Sequence, residues 1–235
     1  MDFVQINTVS TVDAVCQALE NDIFHLRYPP GSKITEADLT SRYGVSRNTI
    51  REAIAHLLSN GLLEKIANKG VYVRRITSSD LLELFRLREL LEREAMVQII
   101  QAGVIPSDLI RHAEALKQID SSSYWDENVM DAYVRADIRF HQSMVAAAGS
   151  PRLIRLYDSI IAEVMFCLYL AHSRVPATKE HRAQLKRNSE RTDEHRRLLE
   201  ALENEDLEMA TQVLSKHISA ACDRYYQQLK EMESK

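Results

Sequence analysis

Apolar positions recur with a helical period along most of the chain and alternate like a strand over one short stretch only. Val12, Val15, Cys16, Leu19 and Ile23 fall on one stripe, which predicts a helix over about 10–26. It stops at the breaker cluster Tyr28-Pro29-Pro30-Gly31-Ser32. A short helix from Glu36 to Tyr43 is ended by Gly44, and Ser46 stands as N-cap of a third helix that Gly61 closes. In that helix Ile50, Ile54, Leu57 and Leu58 form the apolar stripe. Two β-type runs follow, Leu62–Ile66 and Val71–Arg75, and Asn68 and Gly70 between them suit a hairpin turn.

Beyond Ile76-Thr77-Ser78-Ser79, read as a linker with Ser79 or Asp80 as the next cap, the strand pattern disappears. Six helices are predicted, over about 80–102, 106–119, 125–148, 151–172, 178–203 and 206–231. Pro106, Gly149-Ser150-Pro151 and Asn204 mark the breaks. The expected architecture is mostly α: a small N-terminal domain over 1–76 and an all-α antiparallel helical bundle over 80–235. A chain of 235 residues is long enough for about two such domains.

Composition changes little in this picture. Six Gly and five Pro suit long helices, and 45% hydrophobic against 27% charged residues suits a globular chain. Cys16, Cys167 and Cys222 form no CxxC pair, the usage of a reducing cytosol. The longest apolar run, Val164 to Ala171, is far short of the ~20 residues that span a bilayer. The start of the chain has Asp2 and no cationic segment before an apolar run, so no signal peptide is expected and the expected location is cytoplasmic.

Charge distribution does change it. The whole chain carries −4. Over 42–75, however, seven bases (Arg42, Arg47, Arg51, Lys65, Lys69, Arg74, Arg75) face two acids (Glu52, Glu64), a local +5. Two helices joined by a tight Gly turn form a helix-turn-helix unit, whose second helix enters the DNA major groove. Arg47, Asn48 and Arg51 project from the face opposite the apolar stripe, near that helix's N-terminus. There Arg can read guanine bidentately, Asn can read adenine, and the terminus can hold a phosphate. The bland alternative, a solvated helix face, does not account for the cap, the turn, the hairpin and the charge together.

Pro30-Gly31-Ser32-Lys33-Ile34-Thr35-Glu36, Leu39, Tyr43-Gly44-Val45-Ser46-Arg47, Arg51-Glu52-Ala53-Ile54, Gly61-Leu62-Leu63 and Gly70-Val71 resemble the winged helix-turn-helix of GntR-family bacterial transcription regulators. The resemblance implies that Arg47 and Arg51 contact an operator and that the 67–70 turn is a wing tip entering the minor groove. The candidate DNA-contacting set is Arg42, Ser46, Arg47, Asn48, Thr49, Arg51, Asn68, Lys69 and Gly70. The chain departs from the family pattern at Ala37, where many members have Arg, and at Asn48-Thr49, where Thr-Pro is usual.

In the second domain Asp137 and His141 lie four residues apart inside the apolar stripe of Met130, Tyr133, Val134, Phe140, Met144 and Val145. Such a pair shares a helix face, with Cβ atoms about 5–6 Å apart. His195 shares a face with Leu198, Leu199 and Leu202, and His217 with Ala210, Val213, Leu214 and Ala221. A lone His there would be an ordinary core residue; three with one Asp form a transition-metal shell that leaves positions open. His25, His56, His112, His172 and His181 show no such arrangement and are read as surface residues. Arg88 interrupts the stripe of Leu81, Leu84, Leu91 and Ala95, and its charge needs an anion. That anion is either Glu92 one turn on or a ligand carboxylate.

Leu87-Arg88 with Leu91-Glu92, Asp137 with Phe140-His141, Gly149-Ser150-Pro151-Arg152-Leu153, Glu194-His195 and Asp206 through His217 resemble the FCD ligand-binding domain of the FadR branch of the same family. Six helices match its shorter, VanR-like variant. Ser150 stands where many relatives have Asn. The resemblance implies that Asp137, His141, His195 and His217 hold a metal such as zinc or nickel, completed by a small organic acid. The expectation is a homodimeric, ligand-responsive regulator, a repressor by the commoner pattern, acting on a near-palindromic double-stranded operator with no membrane partner. Two rivals share the same shell: a metal-dependent hydrolase and a metalloregulator that senses the metal itself.

Overall fold

The computed structural model describes residues 10–120, 127–172 and 189–233. The chain divides into two compact units, Met1–Ile76 and Thr77–Lys235.

The first unit holds helices α1 (Thr11–Phe24), α2 (Glu36–Tyr43) and α3 (Arg47–Ser59), with strands β1 (Lys33–Ile34), β2 (Leu63–Ile66) and β3 (Gly70–Val73). Each helix starts at a polar cap: Ser10, Thr35 and Ser46 each accept a hydrogen bond from the backbone N–H three residues on. Gly44 ends α2 in the left-handed conformation, φ 67°, which sets the tight turn into α3. The buried faces of α1 and α3 pack together, and Leu19, Ile23, Leu39, Ile50, Ala53, Leu57 and Leu62 form the core. Leu58, expected on the α3 stripe, is only half-buried.

The expected hairpin is present, Leu63 opposite Val73 and Ile66 opposite Gly70, with Asn68 in the left-handed region. A third strand that the pattern did not predict joins it. β1 pairs antiparallel with β3, giving the order β1-β3-β2. The breaker cluster leads straight into this pairing: Gly31 N–H donates to Val73 C=O at 2.8 Å, and Val73 N–H to Ser32 C=O at 2.9 Å. Gly31, at φ 79°, is in the left-handed region that favours glycine, and a Cβ there would also displace the Arg75 guanidinium.

The second unit contains α4 (Ser78–Ala102), α5 (Ser107–Asp120), α6 (Glu127–Ala147), α7 (Pro151–His172), α8 (Ser189–Glu203) and α9 (Leu207–Glu233), so the described residues are almost wholly helical. The expected start of the fifth helix, from 178 to 188, lies outside the described residues. α4 is central, packing on α6, α7 and α9, while α5 packs on α6. Its cap is Thr77 rather than Ser79 or Asp80. Thr77 and Asp80 bond each other's backbone N–H groups in a capping box, so the helix begins earlier than the linker reading placed it. Ser150 accepts from Leu153 N–H at 3.4 Å at the start of α7. His112 is half-buried, not a surface residue, because α5 leans on α6.

Candidate functional site

Two constellations stand out, one in each unit. In the first, the α2–α3 corner presents Arg47 and Asn48 to solvent in the first turn of α3. Thr49 is not free in the same way: its N–H donates to Ser46 Oγ at 3.2 Å, and the two hydroxyl oxygens are 2.9 Å apart. Arg51 Nε donates to Glu36 Oε1 at 2.9 Å, with both side chains largely exposed. Asn68 and Lys69 are exposed at the hairpin tip and Gly70 is half-buried.

Arg42 is engaged within the unit. Its Nε donates to Asp22 Oδ2 at 2.6 Å; Tyr43 Oη donates to the same oxygen at 2.9 Å and Arg27 Nη1 to Oδ1 at 2.6 Å. Burial alone would raise the Asp22 carboxyl, but the bonds from Arg42 and Tyr43 and the two guanidinium charges hold it below the usual carboxylate range. This cluster ties the end of α1 to the end of α2. Nothing in the sequence pattern singled out Asp22, which reads as one of three acids on α1, with Asp13 and Glu20.

In the second unit, Asp137, His141, His195 and His217 converge as expected. One ligand atom from each lies within 4.8 Å of all the others, and all four side chains are buried. Asp137 and His141 come from one face of α6, His195 from α8 and His217 from α9. Asp137 Oδ1 is 3.1 Å from His195 Nε2, 3.7 Å from His217 Nε2 and 3.9 Å from His141 Nε2. Phe140 packs edge-on against His195, ring centroids 4.7 Å apart.

The outer nitrogens of two of these rings meet carboxylates. His141 Nδ1 lies 2.7 Å from Glu92 Oε2, and His217 Nδ1 lies 3.2 Å from Glu194 Oε2. Burial alone would raise Glu92; the Arg88 guanidinium and then His141 bring it down to about 2, so it is ionised. Burial pushes His217 down to about 4 and lowers His141 as well, with Arg88 adding to the effect, so both rings are neutral near pH 7. A neutral ring facing an ionised carboxylate carries its single proton on Nδ1. Where Nδ1 carries the proton, Nε2 exposes a lone pair; the two Nε2 atoms lie 3.2 Å apart. Asp137 adds a negative charge at the same point: burial alone would raise its carboxyl, but the hydrogen bond from His195 leads the effects that hold it well below the usual range. Opposed lone pairs and a buried carboxylate are the electrostatics of a cation site, and carboxylate-anchored imidazoles are the usual surroundings of metal-binding histidines.

Arg88, 1% exposed, has Glu92 as its anionic partner. Nε donates to Glu92 Oε1 at 2.6 Å, whereas Nη2 has no hydrogen-bond partner and lies 3.9 Å from Asp137 Oδ2. A cavity of about 20 Å³, room for roughly one water, adjoins Arg88, Asp137 and His217, with Tyr133, Leu168 and Tyr225 among its walls. Tyr157 was missed by the sequence reading: its Oη donates to Glu92 Oε1 at 2.7 Å from α7, fully buried. A tyrosine on an apolar helix face carries no spacing signal for such a role.

Comparison with known proteins gives two matches along the chain: residues 11–73 match the bacterial regulatory proteins of the gntR family, and residues 83–220 match the FCD domain. A probable D-xylose utilization operon transcriptional repressor of Paenarthrobacter nicotinovorans is 29% identical over 201 residues, covering 83% of this chain and 79% of that protein. Two solved structures share the fold. Escherichia coli McbR/YncC has a TM-score of 0.74 at 19% identity, covering 94% of this chain and 99% of that one. A putative transcriptional regulator GntR from Rhodococcus sp. RHA1 has a TM-score of 0.71 at 22% identity, covering 92% and 98%.

Proposed function

We propose a function from one premise: this chain belongs to the gntR family of bacterial regulatory proteins and is a DNA-binding transcription regulator whose second half is an FCD domain. The hydrolase alternative falls with that premise, since the matched domains and relatives are transcription regulators and not enzymes. Among the described residues no helix is long and apolar enough to cross a membrane.

In our reading the first unit, residues 1–76, is the operator reader. Arg47, Asn48 and Arg51 face base edges in the major groove while Ser46 and Thr49 hold the helix terminus near a phosphate. Asn68, Lys69 and Gly70 form the wing tip. Arg42 contributes mainly through Asp22, by holding α2 in place. Two such readers meeting successive major grooves about 34 Å apart require a homodimer and a near-palindromic operator.

The sensor, over residues 80–235, would hold a divalent transition ion, zinc or nickel, between Asp137 Oδ1 and the Nε2 atoms of His141, His195 and His217. Three imidazoles and one carboxylate suit such ions and leave coordination positions open. The metal when bound would supply a Lewis-acidic anchor for a small organic acid. Arg88 Nη2 would bind and orient the acid's carboxylate beside that anchor. The cavity accommodates about one water, so the acid favours a wider arrangement of the helices. A ligand shifts a protein only through such a difference in affinity between its states, here expected to release the operator.

The observation that carries this reading is the buried convergence of Asp137 Oδ1 with the Nε2 atoms of His195, His217 and His141, at 3.1, 3.7 and 3.9 Å. Its test is metal analysis of the purified protein together with operator binding in the presence of small carboxylates. The reading expects about one metal ion per chain and an acid that weakens operator binding only when the metal is present. Absence of metal from protein supplied with zinc or nickel would overturn it. A change in operator affinity on adding metal alone would favour the metalloregulator instead.

A further inference from the structure

Glu92 gathers more partners than its sequence position suggests. Oε2 accepts from His141 Nδ1 at 2.7 Å; Oε1 accepts from Arg88 Nε at 2.6 Å and from Tyr157 Oη at 2.7 Å. Glu92 and His141 are 0% exposed, and Arg88 and Tyr157 1%, so water cannot substitute for a lost partner. The donors come from three helices: Arg88 from Glu92's own α4, His141 from α6 and Tyr157 from α7. With three donors at fixed directions, the carboxylate cannot turn without breaking at least one bond.

We propose that Glu92 is the positioning residue of the sensor, setting the His141 ring so that Nε2 faces the cation site and holding Arg88 by Nε so that Nη2 faces the cavity, with Tyr157 as its lock. This rests on the reading of the site as a metal-and-carboxylate sensor. The chemistry is specific to a carboxylate. Fixing the proton on Nδ1 leaves Nε2 as a lone-pair donor and raises its basicity. Glutamine has one acceptor oxygen in place of two, so it cannot accept from His141 on one side and from Arg88 and Tyr157 on the other. Its amide N–H₂ would face a donor, and the ring would be free to adopt the Nε2–H tautomer, which cannot bind a metal at that atom. The two halves of the sensor are thereby linked: moving Arg88 disturbs His141 through Glu92, even though the two side chains approach the carboxylate from different helices.

The test follows the tautomer in the metal-free full chain, by ¹⁵N resonances of the histidine rings, and separately the affinity for Zn²⁺ by competition with a chelator. In the unaltered chain His141 should be protonated at Nδ1 and not at Nε2. In Glu92→Gln the His141 tautomer should become mixed or inverted and Zn²⁺ affinity should fall ~10–100-fold, the range for lost partners of metal-bound histidines. Arg88→Met should shift the His141 ¹⁵N signals although Arg88 is not a metal ligand, and Tyr157→Phe should do so with a several-fold loss of Zn²⁺ affinity. If Glu92→Gln does not fold, those two milder variants carry the test. An unchanged tautomer with Zn²⁺ affinity within about twofold in the folded variants would overturn the proposal. Should the unaltered chain bind no Zn²⁺, the sensor reading fails, and the metal-free tautomer still decides the role of Glu92.

Discussion

The Arg88–Glu92 pair makes a quantitative prediction about stability. In the metal-free protein Arg88→Met leaves the Glu92 carboxylate buried without its cation. Removing one partner of a buried pair costs about 3–5 kcal/mol. Glu92→Leu is worse. It takes from the Arg88 guanidinium, 1% exposed, its hydrogen-bonded carboxylate and leaves Asp137 at 3.9 Å, for up to a similar cost, and also orphans His141 Nδ1–H and Tyr157 Oη, at ~1–3 kcal/mol each. Its total is at least about 5 kcal/mol, comparable with the whole stability of many domains. The double variant Arg88→Met/Glu92→Leu removes both charges of the pair and leaves the two neutral orphans, with Asp137 still held by His195. It should therefore be more stable than Glu92→Leu alone by ~3 kcal/mol, or about 6–12 °C in melting temperature for a domain of this size. The assay is thermal and urea unfolding in chelator, followed by helical circular dichroism. A double variant no more stable than Glu92→Leu would refute the reasoning, because it would show that Arg88 is not left uncompensated when Glu92 is removed.

Arg47→Ala should remove operator-specific binding while leaving the helix content intact, whereas Arg42→Ala should lower the stability of the first unit with less effect on sequence preference; footprinting combined with melting curves separates the two. Binding to the operator should weaken linearly with log salt, and loss of Lys69 at the wing tip should reduce that slope by about one; a slope unchanged in Lys69→Ala would exclude a phosphate contact. Asp22 has its folded-state carboxyl held below the unfolded value of 3.8. Its contribution is therefore fully present above about pH 4 and is lost as the pH falls through the lowered value. Asp22→Asn should flatten the acid limb of the first unit's stability profile below that pH, and an unchanged acid limb would count against the cluster.

Much of the candidate site was legible because its signals are local. Asp137 and His141 are one turn apart on a helix whose period is plain, and each of the other two histidines interrupts an apolar stripe on its own helix. What that pattern lacks is the set of outer partners. Glu92 was legible only as a partner of Arg88, because i,i+4 spacing shows that pairing and not the 49-residue separation to His141 or the 65-residue separation to Tyr157. Glu194 was visible as a neighbour of His195 but acts on His217, one helix away.

The same division holds for the fold. Helix period, caps and glycine turns determined by themselves where the helices begin and end to within about two residues, apart from the start expected at 178, which lies outside the described residues, since these features act between residues three or four apart. The amino-acid order also determined that one basic segment sits inside an acidic chain and that four metal-type ligands lie on the apolar stripes of their helices. Only the tertiary structure decided that Lys33–Ile34 becomes a strand, because a two-residue run has no period and exists through its pairing with Val71 and Tyr72. Only it decided that Arg42 is held by Asp22 and that Arg88 gives Nε to Glu92 while Nη2 has no hydrogen-bond partner. Each of these outcomes is a choice among several charges within reach, settled by which side chains are buried together and must satisfy one another away from water.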